Sequence, residues 1–466
     1  MTKAQLMVLK MLEEGKITSE EADRLLDTLS SGEAEPEVDK QERVFKAYEG
    51  VYEAPVPPVP PAMPIPPLPP FPPAPPHGGM RKAELAGADM PGADLSYKDL
   101  EGADLHGANL QGANLRGTNL EGANLSGANL NSAVLAEANL EGADLHEASL
   151  QSANLREASL EGANLVSARL QSANLDETNL ESADLSKAVL RSASLREANL
   201  EGVNLTGADL NSANLNEANL EGADLREADL QSVSLREANL EGTNLAGVDL
   251  RSANLRGVNL EGADLRGANL QSANLREANL EGVNLAGVDL QSANLEGVNL
   301  ENADLREANL QSANLQRANL EGINLAGVQA PSASFQDANL EGADLQEANL
   351  GDANLQRANL EGANLAGADL QAANLEDVNL EGGNLSGAVL VQASLQRANL
   401  EGVNATGADL RAANLEDTNL EDADFREANL QEASLRRANL DDTCLEGADL
   451  RGAQGEGLPK REDEAE

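Results

Sequence analysis

Acidic side chains recur at a fixed interval of twenty residues along most of the chain. Every twentieth position from residue 101 to residue 421 carries a glutamate, and Asp441 continues the series. Carboxylates repeated at one spacing can attract cations or a basic partner protein, so these residues are the candidate interaction surface. This Glu column consists of Glu101, Glu121, Glu141, Glu161, Glu181, Glu201, Glu221, Glu241, Glu261, Glu281, Glu301, Glu321, Glu341, Glu361, Glu381, Glu401 and Glu421. The calcium-solenoid motif Gly-Gly-x-Gly-x-Asp is absent, so we expect neither a metal site nor a cofactor.

The remaining residues that could do chemistry do not have the spacing of a catalytic centre. His106 and His146 are forty residues apart, and two layers of a stacked fold would separate them by about 10 Å, too far for one metal ion. Neither a serine nor Cys444 has a histidine–aspartate partner indicated by the sequence, and no phosphate-binding glycine motif occurs. We therefore predict that the protein is not an enzyme.

The interval of twenty is built from a shorter repeat of five residues. Leucine occupies almost every residue number divisible by five from Leu85 to Leu450, and alanine usually precedes it by two positions. A period of five matches neither the helical period of 3.6 nor the strand period of two, so the chain must turn once in each unit. The leucine and the alanine then point inward, and the other three positions face the solvent.

These units resemble the pentapeptide-repeat family, whose motif is a small residue, Asp or Asn, Leu or Phe, and two variable positions. Ala103-Asp104-Leu105 followed by His106-Gly107 is a typical unit. The resemblance implies a mainly β fold, namely a right-handed, quadrilateral β-helix in which four units form one coil. The Glu column supports a four-sided coil independently, because twenty is four times five. Coils spaced about 4.8 Å apart give about 18 coils and a rod roughly 85 to 90 Å long.

Other columns predict contacts between adjacent coils. Asp and Asn alternate along one column through Asp104, Asn124, Asp144 and Asn164, which predicts vertical hydrogen bonds. A second column alternates in sign, which predicts ion pairs of modest strength. Its members are Arg317, Asp337, Arg357, Asp377, Arg397, Asp417 and Arg437. The repeat is weakest around Gln329-Ala330-Pro331, where we expect a local defect that Phe335 fills.

Residues 1–32 have the pattern of two short helices joined by a Gly-Lys-Ile-Thr turn. The apolar positions that would pack these association helices are Leu6, Leu9, Leu12, Leu25, Leu26 and Leu29. The segment is similar to the SHOCT-like helical hairpin, and it gives the fold a small α-helical N-terminal part. A unit of this size buries too little apolar surface to be stable alone, so we expect it to self-associate or to dock on another protein.

A charged and then proline-rich linker, residues 33–80, follows the predicted hairpin. Fourteen of the 18 prolines lie between residues 54 and 76. Such a tract favours polyproline II at about 3.1 Å per residue and predicts a semi-rigid spacer of roughly 70 Å. A ligand for a proline-recognition domain is the alternative interpretation. The repeat segment comprises residues 81–453, and a disordered acidic tail is expected over residues 454–466.

The charge of the chain limits the classes of function. A net charge of −46 argues against direct nucleic-acid binding, which requires a basic surface. The single cysteine, Cys444, excludes an internal disulfide framework. Neither a signal segment nor a run of about 18 apolar residues occurs, so we predict no transmembrane segment and a cytoplasmic location.

Together these features predict a non-catalytic scaffold that presents an acidic rod to protein partners whose identity the sequence does not reveal. Residues 81–453 carry 24 basic and 61 acidic side chains, or about 0.4 negative charge per Å against about 0.6 for duplex DNA. The alternative is a DNA mimic, because some pentapeptide-repeat proteins bind topoisomerases such as gyrase in this way. Several family members dimerise through a C-terminal helix, and no such helix is predicted here.

Overall fold

The computed structural model describes residues 83–458, which form a continuous stack of coils. Parallel β-bridges join residues that are twenty positions apart, from Glu84 and Asp104 to Asn429 and Asp449. Each coil has four bridge positions, and a two-residue turn separates each bridge from the next. The fold is therefore a four-sided β-helix with one coil for every twenty residues. The predicted hairpin at 1–32, the linker at 33–80 and residues 459–466 lie outside the described residues.

Two short strands occur at the C-terminal end of the stack. Strand β1 (Ser434–Leu435) pairs in parallel with strand β2 (Gln454–Gly455). The remaining bridges are isolated, because each side of a coil offers one pairing residue between turns. Strand β2 carries the stack to Gly455, inside the segment that the sequence analysis assigned to the tail. Residues 83–458 contain no α-helix.

Backbone hydrogen bonds hold each coil to its two neighbours. With few exceptions, the N–H of a leucine donates to the carbonyl of the residue nineteen positions later, as in Leu105 to Asn124 at 2.7 Å. The N–H of the outward residue donates in the other direction, as in Asn124 to Ala103 at 2.9 Å. A third bond closes the turn within a coil, as in Ala108 to Leu105 at 3.0 Å. The backbone polar groups of each side are thus paired along the axis of the stack.

The core consists of leucine and alanine columns. From Leu100 to Leu435 the side chains at the leucine positions are at most 1 % exposed, and Phe335 and Phe425 fit into the same column. The local defect expected around Ala330 is wrong, because its N–H donates to Asn349 at 2.8 Å and the Pro331 carbonyl accepts from Ser312 at 3.0 Å. Pro331 is tolerated because the backbone-to-backbone ladder does not use the N–H of a first turn residue.

The side chain of the outward Asp or Asn caps the following turn. Its oxygen accepts the N–H of the residue two positions later, as in Asn119 to Glu121 at 3.2 Å. This Asx-type bond explains why the motif requires Asp or Asn at this position. Where Ser149 replaces it, Asn131 of the preceding coil accepts the N–H of Gln151 at 2.9 Å instead. The sequence analysis missed both interactions.

The second residue of each turn has a positive φ. Glycine is common at this position, but Ser, Glu, Asp and Arg also occur there with φ between 54° and 61°. A left-handed conformation costs a residue with a side chain roughly 1–2 kcal/mol. Gly117 has an additional requirement, because a Cβ at this position would lie 2.6 Å from the ring of Tyr97.

One column of asparagines forms an uninterrupted hydrogen-bonded ladder. From Asn179 to Asn439, every twentieth residue is Asn, and each side-chain amide donates to the Asn oxygen of the preceding coil at 3.0–3.4 Å. We call this column the Asn ladder. Its members therefore link the coils and cap the turns at the same time.

The positive φ predicts which substitutions a turn accepts. Ser252 has a φ of 58° and an exposed side chain. We expect Ser252→Gly to leave the unfolding midpoint unchanged or raised, and Ser252→Val to destabilise the protein by about 1–2 kcal/mol, because a β-branched residue is strained there. Urea unfolding followed by circular dichroism measures both effects. Ala246→Val, at a first turn residue, is the control, and an equal loss in that variant would contradict the explanation.

The Asn ladder predicts a stability difference between two asparagines in the same motif position. Asn299 caps its own turn and bonds to Asn279 and Asn319, whereas Asn154 only caps its turn. We expect Asn299→Ala to cost about 1–2 kcal/mol more than Asn154→Ala, because only the first change removes bonds between coils. The comparison uses urea unfolding midpoints. Equal losses would show that the ladder bonds add no net stability.

Candidate interaction surface

The Glu column lies along one corner of the β-helix. Each of its members is the first residue of a turn, in successive coils of the stack. Most of its side chains are exposed, and those of Glu101, Glu181, Glu301 and Glu401 are half-buried. The structure thus brings the seventeen predicted residues together as one continuous acidic edge. The other predicted set, the leucines of the N-terminal hairpin, lies outside the described residues.

The Asn ladder anchors many of these carboxylates. The amide of the ladder residue eighteen positions later donates to the Oε2 atom of the glutamate, as in Asn419 to Glu401 at 3.2 Å. The second hydrogen of the same amide donates to the asparagine of the preceding coil, so one side chain contacts both the Asn ladder and the Glu column. The glutamates held in this way are Glu161, Glu181, Glu281, Glu321, Glu341, Glu381, Glu401 and Glu421, and Asn139, which precedes the ladder, holds Glu121 with the same geometry. Sequence reasoning missed this contact, although the uniform Asn column was its signal.

A strip of glycines borders the carboxylates. The second turn residue at this corner is Gly in most coils, and at Gly122, Gly142 and Gly222 the space that a Cβ would occupy is empty. Other corners carry Ser, Glu or Arg in the same left-handed conformation, so the fold does not require glycine at every coil. We call this feature the Gly strip. It leaves the backbone beside the Glu column uncovered by side chains.

The diagonally opposite corner is polar but largely uncharged. Its first turn residue is often Gln, and its second is Ser in every coil from Ser132 to Ser332. Gln271 donates to Gln291 at 2.7 Å, and Gln291 donates to Gln311 at 3.3 Å. The rod therefore has one acidic edge and one nearly neutral edge.

The predicted alternation of Arg and Asp forms ion pairs between coils. Arg357 bonds to Asp337 through Nε at 2.6 Å, and the pairs of Arg397 with Asp377 and Arg437 with Asp417 repeat this geometry. Arg317 departs from the prediction and contacts Glu296. The hydrogen bond from Arg397 lowers the pKa of Asp377. Any stability from this pair is present above the unfolded pKa and is lost as the pH falls through the lowered folded-state pKa.

The predicted Asp–Asn hydrogen bonds form in some coils and not in others. Asn124 donates to Asp104 at 3.2 Å, and Asn364 donates to Asp344 at 2.9 Å. Asp224, Asp264 and Asp304 instead bond to the arginine two residues later in the same turn. These arginines lower the pKa values of the three aspartates through hydrogen bonds. An adjacent arginine thus replaces the neutral asparagine as partner, because the bond to a charged donor is stronger.

The histidines are engaged within their own turns. The Nδ1 atoms of His106 and His146 each lie 2.8 Å from an oxygen of the aspartate two residues earlier. Among residues 83–458, no cluster of His, Cys, Asp and Glu has the arrangement of a metal site. The same part of the chain has no helix of the length and apolarity that would span a membrane.

Two family models match the sequence of this chain. The model "Pentapeptide repeats" matches successive segments between residues 83 and 452. The model "SHOCT-like domain" matches residues 5–34. No curated protein sequence matches the chain.

Several solved structures are similar to parts of the chain. HetL of the cyanobacterium Nostoc sp. strain PCC 7120, a pentapeptide-repeat protein involved in heterocyst differentiation regulation, is 34% identical. The match covers 49% of this chain and 92% of HetL, with a TM-score of 0.20. A pentapeptide-repeat protein of the cyanobacterium Cyanothece 51142 is 38% identical over 22% of this chain and 64% of its own, with a TM-score of 0.10.

A third similar structure is more distant in sequence. Full-length QnrB1, a plasmid-mediated fluoroquinolone resistance protein, is 14% identical over 49% of this chain and 94% of its own, with a TM-score of 0.17. Pentapeptide-repeat proteins form right-handed β-helices. Because the family model matches most of the chain and the described residues form four-sided coils of twenty residues, the chain belongs to the pentapeptide-repeat family.

Proposed function

We propose that the protein is a non-catalytic scaffold whose acidic edge binds basic surfaces of partner proteins. The observation that carries this proposal is the row of anchored carboxylates beside the Gly strip. The ladder amides restrict the glutamate side chains before binding, which reduces the entropy lost on association. The Gly strip lets a partner approach the backbone beside the carboxylates.

The remaining corners make this edge the preferred place for a basic partner. Several acidic residues elsewhere are neutralised by arginines, such as Asp224 by Arg226 and Asp417 by Arg437. The hydrogen-bond partners of the glutamates that the Asn ladder holds are neutral asparagines, which do not offset the negative charge. Exposed charges of this kind speed association and select partners by charge, and their effect weakens as salt concentration rises.

The surface geometry supports binding and not catalysis. The carboxylates lie on a convex corner in contact with water, whereas catalytic carboxylates are usually found in concave, desolvated sites. We propose that the SHOCT-like segment serves as an association or docking module and that the protein acts in the cytoplasm. The alternative, DNA mimicry toward a topoisomerase such as gyrase, rests on the overall charge density of the repeat segment.

The Glu column can be tested with two variants of equal charge. The edge variant changes Glu321, Glu341, Glu361, Glu381, Glu401 and Glu421 to Gln. The control variant changes Glu137, Glu157, Glu177, Glu197, Glu217 and Glu237 to Gln, on another corner. The full chain and both variants are immobilised, and the proteins retained from a bacterial lysate at low and high salt are identified by mass spectrometry.

We expect the edge variant to lose, by at least about tenfold, proteins that the wild type and the control variant retain at low salt. Equal retention by all three forms, or equal loss in both variants, would show that the edge itself is not the binding surface. Inhibition of DNA supercoiling by gyrase, weakened equally in both variants, would favour DNA mimicry, because mimicry depends on total charge.

A further inference from the structure

The inward small residues alternate in size over part of the stack. On two adjacent sides of the coil, alanine in one coil is followed by a β-branched residue in the next. On the side that follows the Glu column the series is Ala223, Thr243, Ala263, Val283, Ala303 and Ile323. On the next side it is Ala228, Val248, Ala268, Val288, Ala308 and Val328. All of these side chains are buried, so each extra methyl group must find room inside the stack.

The regular backbone bonds are interrupted at one step of this alternation. In most other coils, the backbone N–H groups at these positions donate to the carbonyl nineteen residues later. The same pattern would pair Gly262 with Glu281, Leu265 with Asn284, and Gly267 with Ala286. Within residues 83–458 these three pairs do not have hydrogen-bond geometry, and neither do the returning pairs of Asn284 with Ala263 and of Asp289 with Ala268. The bridges between Asp264 and Asn284 and between Asn269 and Asp289 persist as looser pairings.

The same distortion recurs more weakly forty residues on either side. The bond from Asn302 to Glu321 lengthens to 3.5 Å, and that from Asn324 to Ala303 lengthens to 3.4 Å. Forty residues towards the N-terminus, the backbone bonds expected from Glu227 to Ala246 and from Asp249 to Ala228 are absent among the described coils. In every case a coil with alanine precedes a coil with β-branched residues.

The backbone hydrogen bonds are intact at the steps where the order of sizes is reversed. Where the β-branched coil precedes the alanine coil, Gly242 bonds to Glu261 at 2.9 Å and Asp264 bonds to Thr243 at 2.9 Å. The other sides of the distorted coils are also intact, since Ser272 bonds to Gln291 and Glu277 bonds to Glu296, both at 2.9 Å. At this coil step the separation is therefore confined to two adjacent sides and is not a break across the rod.

Overpacking accounts for this pattern. Val283 and Val288 place additional methyl groups between their coil and the one before it, and a filled core responds by shifting the backbone. Ala263, directly before Val283, is 5% exposed, the largest value among the buried alanines. Water can thus reach this step more easily than the others.

We propose that residues 262–269 and 282–289 form a seam at which the rod opens and bends. The weakened backbone pairing lowers the cost of local opening there, while the two intact sides act as the hinge. The seam passes between Glu261 and Glu281, where Gly262 lacks the bond that joins the coils beside the Glu column. The acidic edge is therefore most flexible at this step, between Glu261 and Glu281.

Hydrogen exchange of the full chain, followed by mass spectrometry, tests the seam without any partner. We expect amides in 262–269 and 282–289 to exchange at least about tenfold faster than those in 342–349 and 362–369, which occupy the same sides in coils with alanine only. The double variant Val283→Ala and Val288→Ala should remove most of this difference. Equal exchange in the two regions, or fast exchange that persists in the double variant, would overturn the proposal.

A matched control and a transplant separate the seam from general instability. Val203→Ala changes a valine in the same column whose coil keeps its bonds, such as Asn204 to Ala183 at 3.0 Å, and should leave exchange at the seam unchanged. Ala363→Val with Ala368→Val should create fast exchange at 342–349, because an alanine coil then precedes a β-branched one. Failure of the transplant in a folded variant, judged by circular dichroism, would show that β-branched residues do not cause the opening.

Discussion

The structure depends on the parallel backbone ladder between coils of equal length. Each side contributes one bridged residue, so a single inserted residue would move every following bridge out of register. The ladder fixes the coil at twenty residues throughout the described stack, and it therefore places every twentieth side chain in the same column. The surface columns are a consequence of this constraint, because a residue type repeated every twenty positions becomes a continuous line on the rod.

The same constraint explains how a row of like charges is tolerated. Glutamates in adjacent coils repel each other, and water reduces this repulsion at an exposed corner. Many of their carboxylates accept amide hydrogens from the Asn ladder, which hold the side chains in place without offsetting their charge. On other corners the chain uses the opposite solution, because Arg397 and Arg437 neutralise aspartates in the coil before them. The two solutions leave one edge much more acidic than the rest.

The sequence predicted the coil because its period is a direct record of the ladder. The columns of Leu, Glu and alternating Arg and Asp could be read without coordinates, and the ion pair of Arg357 with Asp337 follows from them. Contacts between different columns could not be predicted from the sequence. The hydrogen bond from Asn419 to Glu401, for example, depends on the direction that the turn gives to both side chains. The expected defect at Pro331 failed for a similar reason. Its N–H is missing at the one turn position that the ladder does not use.

The opening between residues 262 and 289 lies furthest from what a sequence pattern can show, because it results from a difference in size and not from a change in residue class. Alanine and valine both satisfy the motif, and both are buried at the same position. The backbone ladder fixes the spacing of the coils, while the inward side chains fix the volume that must fit between them. A single valine after an alanine is accommodated, as at Val203, but larger residues on two adjacent sides are not. Where Val283 and Val288 follow alanines, the added side-chain volume pushes the coils apart and the backbone hydrogen bonds lengthen. The stiffness of the rod is therefore set by its inward columns, independently of the residues that it presents outside.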